Sequence, residues 1–368
     1  MHLHLVSFDV PYPPDYGGII DVYNRVRALA GAGVKVHLHC YAYGRPEAPE
    51  LAQICEEVCY YPRETGWRHQ FERKPYIVAS RCSQTLLQRL RQDNYPIVLE
   101  GLHNAFVLEH LAPKGRKIAV RAHNVEHDYY LGLAQAEPVA WKRWFYRIEA
   151  RKLRRYEPIL KQATLVMAVT DEDARHFKAL GCPQVVQVTS FHGHTTVESI
   201  PGHGDYVLYH GNLSVIENRQ AALYLLDNVF SGSDIPLVIA GRNPDALLQE
   251  RVAQCPHVRL VANPDDDAMR RLMREAHVNL LVTAQPTGLK LKLLNALYEG
   301  RHCLVNSAML SGTPFAEVCH LADTPEDLRA ELQRLMQQDF TEEELARRTQ
   351  LLQRTAAASL HWLQHLEG

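Results

Sequence analysis

Thr287-Gly288-Leu289-Lys290-Leu291-Lys292-Leu293-Leu294-Asn295-Ala296 follows the apolar run Val278-Asn279-Leu280-Leu281-Val282 and precedes Gly300. This order predicts a buried strand, a turn, and a helix whose first turn carries Lys290 and Lys292. The first N–H groups of a helix have no partner within it. A glycine beside them admits a close approach, and two ammonium groups add charge, so the segment suits a diphosphate. Leu289, Leu293 and Leu297, four residues apart, equally suit a helix that turns one face to a core and its lysines to solvent. The segment alone leaves both readings open.

Length and composition set the frame. A chain of 368 residues, 46% hydrophobic and 22% charged, has material for about two domains with full cores. A net charge of -2 gives no global reason to expect nucleic acid as a partner. The amino-terminal run Met1 to Phe8 is too short for a signal peptide's apolar segment or a membrane span, so the expected location is cytoplasmic. Cys40, Cys55, Cys59, Cys82, Cys182, Cys255, Cys303 and Cys319 are scattered without a CxxC pair, which points to free thiols.

Short apolar runs alternate with stretches of helix length, the pattern of parallel sheets covered by helices. Strands are predicted at 2–8, 34–41, 97–100, 117–121, 165–169 and 185–188, and again at 206–209, 237–240, 258–261, 278–282 and 303–305. Phe191 to Asp205 holds four glycine or proline positions and reads as a linker. The expected organisation is therefore a Rossmann-like domain over 1–190, a linker over 191–204, a second Rossmann-like domain over 205–340, and one long helix over 341–368 opened by Thr341-Glu342-Glu343-Glu344.

Ligands of such sheets bind at the carboxyl ends of the strands, so the loops there are the places to look for chemistry. Pro11-Tyr12-Pro13-Pro14-Asp15-Tyr16-Gly17-Gly18 precedes a predicted helix, and Gly17 and Gly18 leave N–H groups bare at its entrance. Arg121-Ala122-His123-Asn124-Val125-Glu126 follows a strand and can hold sugar hydroxyls or a developing charge, with His123 the best candidate for a reacting contact and expected at an open cleft, not in a core. Tyr209-His210-Gly211-Asn212-Leu213 and Ile239-Ala240-Gly241-Arg242-Asn243 each place a glycine at a strand end, and Arg242 adds a cation.

Taken together, these pieces resemble the retaining family 4 glycosyltransferases of the GT-B fold over nearly the whole chain. The resemblance rests on Pro-Tyr-Pro-Pro-Asp-Tyr-Gly-Gly, on His-Asn-Val-Glu, on His-Gly-Asn-Leu followed by Glu217-Asn218, and on Gly288-x-Lys290-x-Lys292. It implies an α/β chain with two Rossmann-like domains facing across a cleft, the last helix crossing back to the first domain, and metal-independent transfer without a cofactor. The donor would be a nucleotide-diphosphate sugar and the acceptor a carbohydrate or lipid-linked molecule, in polysaccharide or glycoconjugate synthesis. The catalytic candidates are His123 and Lys290. The donor candidates are Gly17, Gly18, Gly211, Asn212, Arg242, Thr287, Gly288, Leu289, Lys292 and Asn295. Arg121, Asn124 and Glu126 are candidates for contacting the acceptor or supporting the site from behind. The chain also departs from the family pattern. Thr287 and Asn295 stand where two glutamates are usual, and Asn212 and Asn218 stand where an arginine–lysine pair is usual. These departures keep two other readings in view, a nucleotide-sugar 2-epimerase of the same fold and a catalytically silent binding subunit.

Two further features carry weaker signals. The pairs His2/His4, His37/His39 and His192/His194 suit packing on a strand face better than metal binding, because no carboxylate cluster accompanies them in sequence. Residues 141–156 place seven cations among aromatics, as in a helix at an anionic lipid surface or a solvated outer face. Peripheral contact with the inner face of a membrane is thus one expectation for this segment.

Overall fold

The computed structural model describes residues 1–284 and 290–367, so Thr287, Gly288 and Leu289 lie outside the described residues. The chain divides into two compact units, Met1–Gly193 with Ala358–Gly368, and His194–Ala357. Each is built on one parallel sheet with helices on both faces.

The first unit contains β1 (His2–Ser7), β2 (Lys35–Ala42), β3 (Glu57–Pro62), β4 (Ile97–Glu100), β5 (Ile118–Ala122), β6 (Leu165–Ala168) and β7 (Val185–Gln187), in the order β3-β2-β1-β4-β5-β6-β7. Its strands are nearly continuous apolar runs because both faces are covered. Val6, Leu99, Val120 and Val166 enter one core, while Leu3, Leu5, Val98 and Met167 enter the other. The second unit contains β8 (Val207–Asn212), β9 (Leu237–Arg242), β10 (Val258–Ala262), β11 (Val278–Leu281), β12 (His302–Val305) and β13 (His320–Leu321), in the order β10-β9-β8-β11-β12-β13. Strand order reverses direction at β1/β4 in one unit and at β8/β11 in the other, which is where such sheets open a crevice.

Sequence reading misses β3 and β13. Both are edge strands: β3 ends on a proline and is mostly half-buried, and β13 has only two residues, so neither shows a core-strand pattern. The expected single helix over 341–368 is also corrected. It opens with a capping box in which Glu344 accepts from the Thr341 N–H at 2.8 Å and Thr341 accepts from the Glu344 N–H at 3.2 Å. It then ends at Ala358. Its apolar positions serve two different cores: Leu352 is buried in the second unit, and past the break Trp362 and Leu366 are buried with Leu3, Val10 and Val36 of the first.

The histidines of β1 and β2 form a hydrogen-bonded row across the strands. Tyr61 hydroxyl lies 2.9 Å from His39 Nδ1, His39 Nε2 lies 2.8 Å from His4 Nδ1, and His4 Nε2 lies 3.0 Å from Asp93. With neutral rings each group donates once along the row. A proton added to His4 Nδ1 would face the His39 Nε2–H, so the row must then reverse, with His39 Nδ1–H donating to the Tyr61 oxygen. Burial, the largest influence, holds His4 down to about 4 and His39 well below the ordinary histidine value of 6.5; His37 acts on both in the same direction, and Asp93 opposes it on His4. Because the folded values lie below the unfolded one, the unfolded chain binds more protons between pH 6.5 and 4, and stability falls as the pH drops through that window. For His4 alone the full loss, reached below the folded value, is about 3 kcal/mol. Urea midpoints measured from pH 7 to pH 4 should therefore fall less steeply in His39→Asn than in the parent, whereas equal slopes would remove the row from the acid response.

Candidate functional site

At the β1/β4 switch point of the first unit, the helix Gly17–Gly31 begins directly after the loop from β1. Tyr16 at its N-cap supplies no side-chain bond and the first turn holds no acid, so no side chain caps its leading N–H groups. Gly18 lets the Phe8 ring approach closely, since a Cβ there would stand 3.0 Å from it and would push the ring aside. That ring in turn meets His123 edge-on, with centroids 5.8 Å apart. The glycine pair and the histidine predicted from separate motifs are thus joined through Phe8.

Beneath them lies an ion network that sequence reading did not find. Arg25 bonds Asp21 one helical turn away and reaches Glu100, the last residue of β4, at 2.7 Å. Arg121 of β5 reaches the same Asp21 at 3.3 Å, and the Phe191 N–H donates to it at 2.7 Å. Arg121 also donates to the Val188 and Thr189 carbonyls at 2.5 and 3.2 Å. These four side chains are fully buried, and two guanidinium groups balance two carboxylates. Burial alone would raise the Asp21 carboxyl, but Arg121, Arg25, His123 and the Phe191 N–H outweigh it and hold it at about 2. The available signal was the pair Asp21 and Arg25 at i, i+4 beside the buried Val22 and Val26, a charge pair on an apolar face.

His123 sits on this network, with Nε2 3.0 Å from Glu100 and Nδ1 3.7 Å from Asp21. The expectation that it lies in the open is corrected: it is 7% exposed, because both neighbouring carboxylates are interior. Arg121 and Glu126 are buried as well, which leaves them the supporting role rather than acceptor contact, whereas Asn124 is half-buried. Burial, with Glu157 adding to it, pushes the Glu126 carboxyl up to about 7.

In the second unit the chemistry gathers at β8. Asn212, the last residue of that strand, accepts from the Ser214 N–H and hydroxyl at 3.1 and 2.7 Å, and its carbonyl accepts from Asn218 at 2.9 Å. Asn218 in turn accepts from Lys292 Nζ at 2.7 Å, and that ammonium lies 5.7 Å from the centre of the Tyr209 ring. The two asparagines that stand in for a cationic pair therefore have a cation brought to them from the helix Leu291–Glu299. Burial lowers Lys292 to about 8, with Glu217 opposing, and raises Glu217 despite both lysines. Lys292 is bonded to a neutral amide and forms no ion pair among the described residues. Lys290 is the N-cap residue of this helix and not part of its first turn, which corrects the sequence reading.

The remaining donor candidates divide. Gly211 pairs with Gly241 in register, and a Cβ on Gly241 would fall 1.8 Å from the Gly211 carbonyl oxygen, so close strand approach accounts for the glycine at the end of β9. Arg242 is exposed and makes no ion pair among the described residues. Asn295 has its amide oxygen engaged by His194 at 2.9 Å, which leaves the amide N–H groups for a ligand.

Residues 20–193 match the family model described as Glycosyltransferase Family 4. An uncharacterized 44.6 kDa protein in the cps region of Klebsiella pneumoniae is 24% identical over an alignment of 328 residues, with 84% of this chain and 84% of that one covered. Among solved structures, the fold is similar to sucrose-phosphate synthase from Thermosynechococcus elongatus (TM-score 0.64, 14% identity, 100% of this chain and 96% of that one). It is also similar to the lipopolysaccharide outer core galactosyltransferase WaaB in its apo form (TM-score 0.65, 11% identity, 98% and 99%). A third similar structure is Anabaena HepE in complex with UDP and glucose (TM-score 0.60, 12% identity, 99% and 98%). The match over residues 20–193 and the two parallel Rossmann-like sheets fit a family 4-like glycosyltransferase of the GT-B fold.

Proposed function

We propose that the chain transfers a sugar from a nucleotide-diphosphate donor to a glycan, glycoconjugate or lipid-linked acceptor, with retention at the anomeric carbon and without a metal at the donor. The observation that carries this reading is Lys292, a largely desolvated ammonium held by an amide and lowered to about 8. A diphosphate would supply the anion it lacks. As the bond between the anomeric carbon and the diphosphate oxygen breaks, charge grows on that oxygen, where an ammonium and a helix N-terminus are most effective. Uridine diphosphate is the first probe, because similar HepE was solved with UDP and glucose. His123, fixed by Glu100, is assigned a contact with the reacting sugar.

The exposed aromatics suggest where a lipid-linked acceptor would be met. Trp141 and Trp144 on the helix Ala140–Tyr156 are 68% and 67% exposed among Lys142, Arg147, Arg151, Arg154 and Arg155. Lys152 of the same helix donates to the Gln70 carbonyl at 2.6 Å, tying in the turn that carries the exposed Trp67 and Phe71. Aromatic and basic groups so interleaved suit the headgroup layer of an anionic membrane. Among the described residues no helix is long and apolar enough to cross one.

Three outcomes are expected. Lys292→Ala should weaken uridine diphosphate binding by about tenfold or more, the cost of a charge-assisted contact. In the parent, affinity should decline as the pH rises past about 8, where free Lys292 loses its proton, and chelator should leave it unchanged. Titration calorimetry at several pH values decides this, and an unaltered constant in the variant would return Lys292 to a structural role.

His123→Ala should lower turnover by about 100-fold while sparing nucleotide affinity. It should also cost about 1–3 kcal/mol of stability, because Glu100 loses a buried partner. Turnover and unfolding are measured on one preparation, and normal turnover with reduced stability would leave His123 purely structural. Product formed from donor alone would instead indicate epimerisation.

Vesicles rich in anionic lipid should sediment the parent, and the double variant Trp141→Ser, Trp144→Ser about tenfold less well at equal lipid, while neutral vesicles should sediment neither. Equal binding by parent and variant would exclude this helix as the contact.

A further inference from the structure

Three clusters of histidine with carboxylate occur among the described residues: Asp21, Glu100 and His123; His127, Glu157 and His176; and His302, His320 and Glu344. The first two already have positive charge to balance their carboxylates. Arg25 and Arg121 serve Asp21 and Glu100. His127 is shifted upward by its bond to Glu157, which holds His176 at 2.8 Å on its other oxygen.

The third cluster differs. His302, the first residue of β12, is 2% exposed, and its Nε2 lies 3.0 Å from the Gln338 carbonyl oxygen. A carbonyl only accepts, so Nε2 carries the ring proton and Nδ1 presents a lone pair. That Nδ1 is buried without a hydrogen-bond partner, and it faces a Glu344 oxygen at 3.8 Å. The buried Nδ1 lone pair therefore faces another acceptor, the half-buried Glu344 carboxylate. The neighbouring His277 shows what a satisfied ring looks like here: Nε2 meets the Leu335 carbonyl at 2.7 Å and Nδ1 accepts from the Gly204 N–H at 3.1 Å. His320, the first residue of β13, places a ring nitrogen within 4.8 Å of the other two ligand atoms. Its Nδ1 has Glu331 at 3.3 Å and Arg334 at 3.2 Å. Arg334 can only donate, so with Nδ1 accepting from it the neutral ring carries its proton on Nε2, and Nε2 presents a lone pair in the other tautomer, whose Nδ1–H turns to Glu331.

We infer that His302, His320 and Glu344 bind a divalent transition-metal ion of the zinc class, which fastens the start of the Glu342–Ala358 helix to the amino ends of β12 and β13. Two imidazoles and one carboxylate are a donor set that zinc accepts. The His302 N–H bonded to a carbonyl is the kind of outer contact that orients a ligating ring. The site lies at the amino ends of the strands, whereas Lys292 belongs to the loops at their carboxyl ends, so the ion has no part in donor binding.

The test uses full-length protein stripped with chelator and then titrated with zinc and, for its visible absorption, cobalt(II). One ion should bind per chain, raise the unfolding midpoint, and leave uridine diphosphate affinity unchanged. Glu344→Gln keeps the capping box, because glutamine can still accept from the Thr341 N–H. This variant should fold with an apo midpoint near the parent's and bind zinc at least about tenfold more weakly, since even supporting residues of metal sites have effects of that size. His320→Asn should behave likewise and carries the test if Glu344→Gln does not fold. Absence of stoichiometric binding by the parent would overturn the inference, as would parental affinity in both variants, which would place the ion on other histidines.

Discussion

The first unit is organised around Asp21. Its carboxylate, with no access to water, holds two arginines and a backbone N–H from three separate parts of the chain: the first helix, β5 and the segment after β7. Charges so deeply buried are tolerated only when each is matched. The match here fixes the ends of β4 and β5 relative to the helix that begins at Gly17, and that fixes Phe8, Gly18 and His123. Removing one partner would leave an uncompensated interior charge, so the network behaves as a unit, and the rigidity of the surface above it is inherited from it.

The second unit solves a different problem. Where a directly placed cationic pair is usual, two asparagines form a neutral frame and an ammonium is delivered to it from another helix. The amide contact orients the lysine without neutralising it. Its charge therefore remains available, at the cost of a lowered affinity for its own proton. On the proposed function this is preorganisation of an electrostatic kind, in which the charge would be in position before the diphosphate arrives.

Most central strands and the loops at their ends were legible in sequence, because strands buried on both faces are written as unbroken apolar runs such as Ile97-Val98-Leu99. The edge strands β3 and β13 were not, since they bury too little to show a pattern, although β7 and β10 at the opposite edges were. The glycines and His123 were found by motif, but their surroundings were not: Asp21, Arg25 and Glu100 are polar residues inside apolar elements, and only the three-dimensional pairing makes them sensible. The openness expected of His123 failed for the same reason, because polar neighbours in sequence proved to be buried ion-pair partners in space. Lys292 was found, but its dependence on Asn218 joins residues 74 positions apart and leaves no local trace.

The first unit is discontinuous along the chain. Trp362 and Leu366 complete a core begun by Leu3 and Leu5, with the whole of the second unit intervening. During synthesis that part of the first unit's interior must therefore stay unsealed until Trp362 and Leu366 have left the ribosome. A truncation of only a dozen residues at the carboxyl terminus would be felt at the opposite end of the sequence, and the order in which the two units mature would be inverted relative to their order of translation.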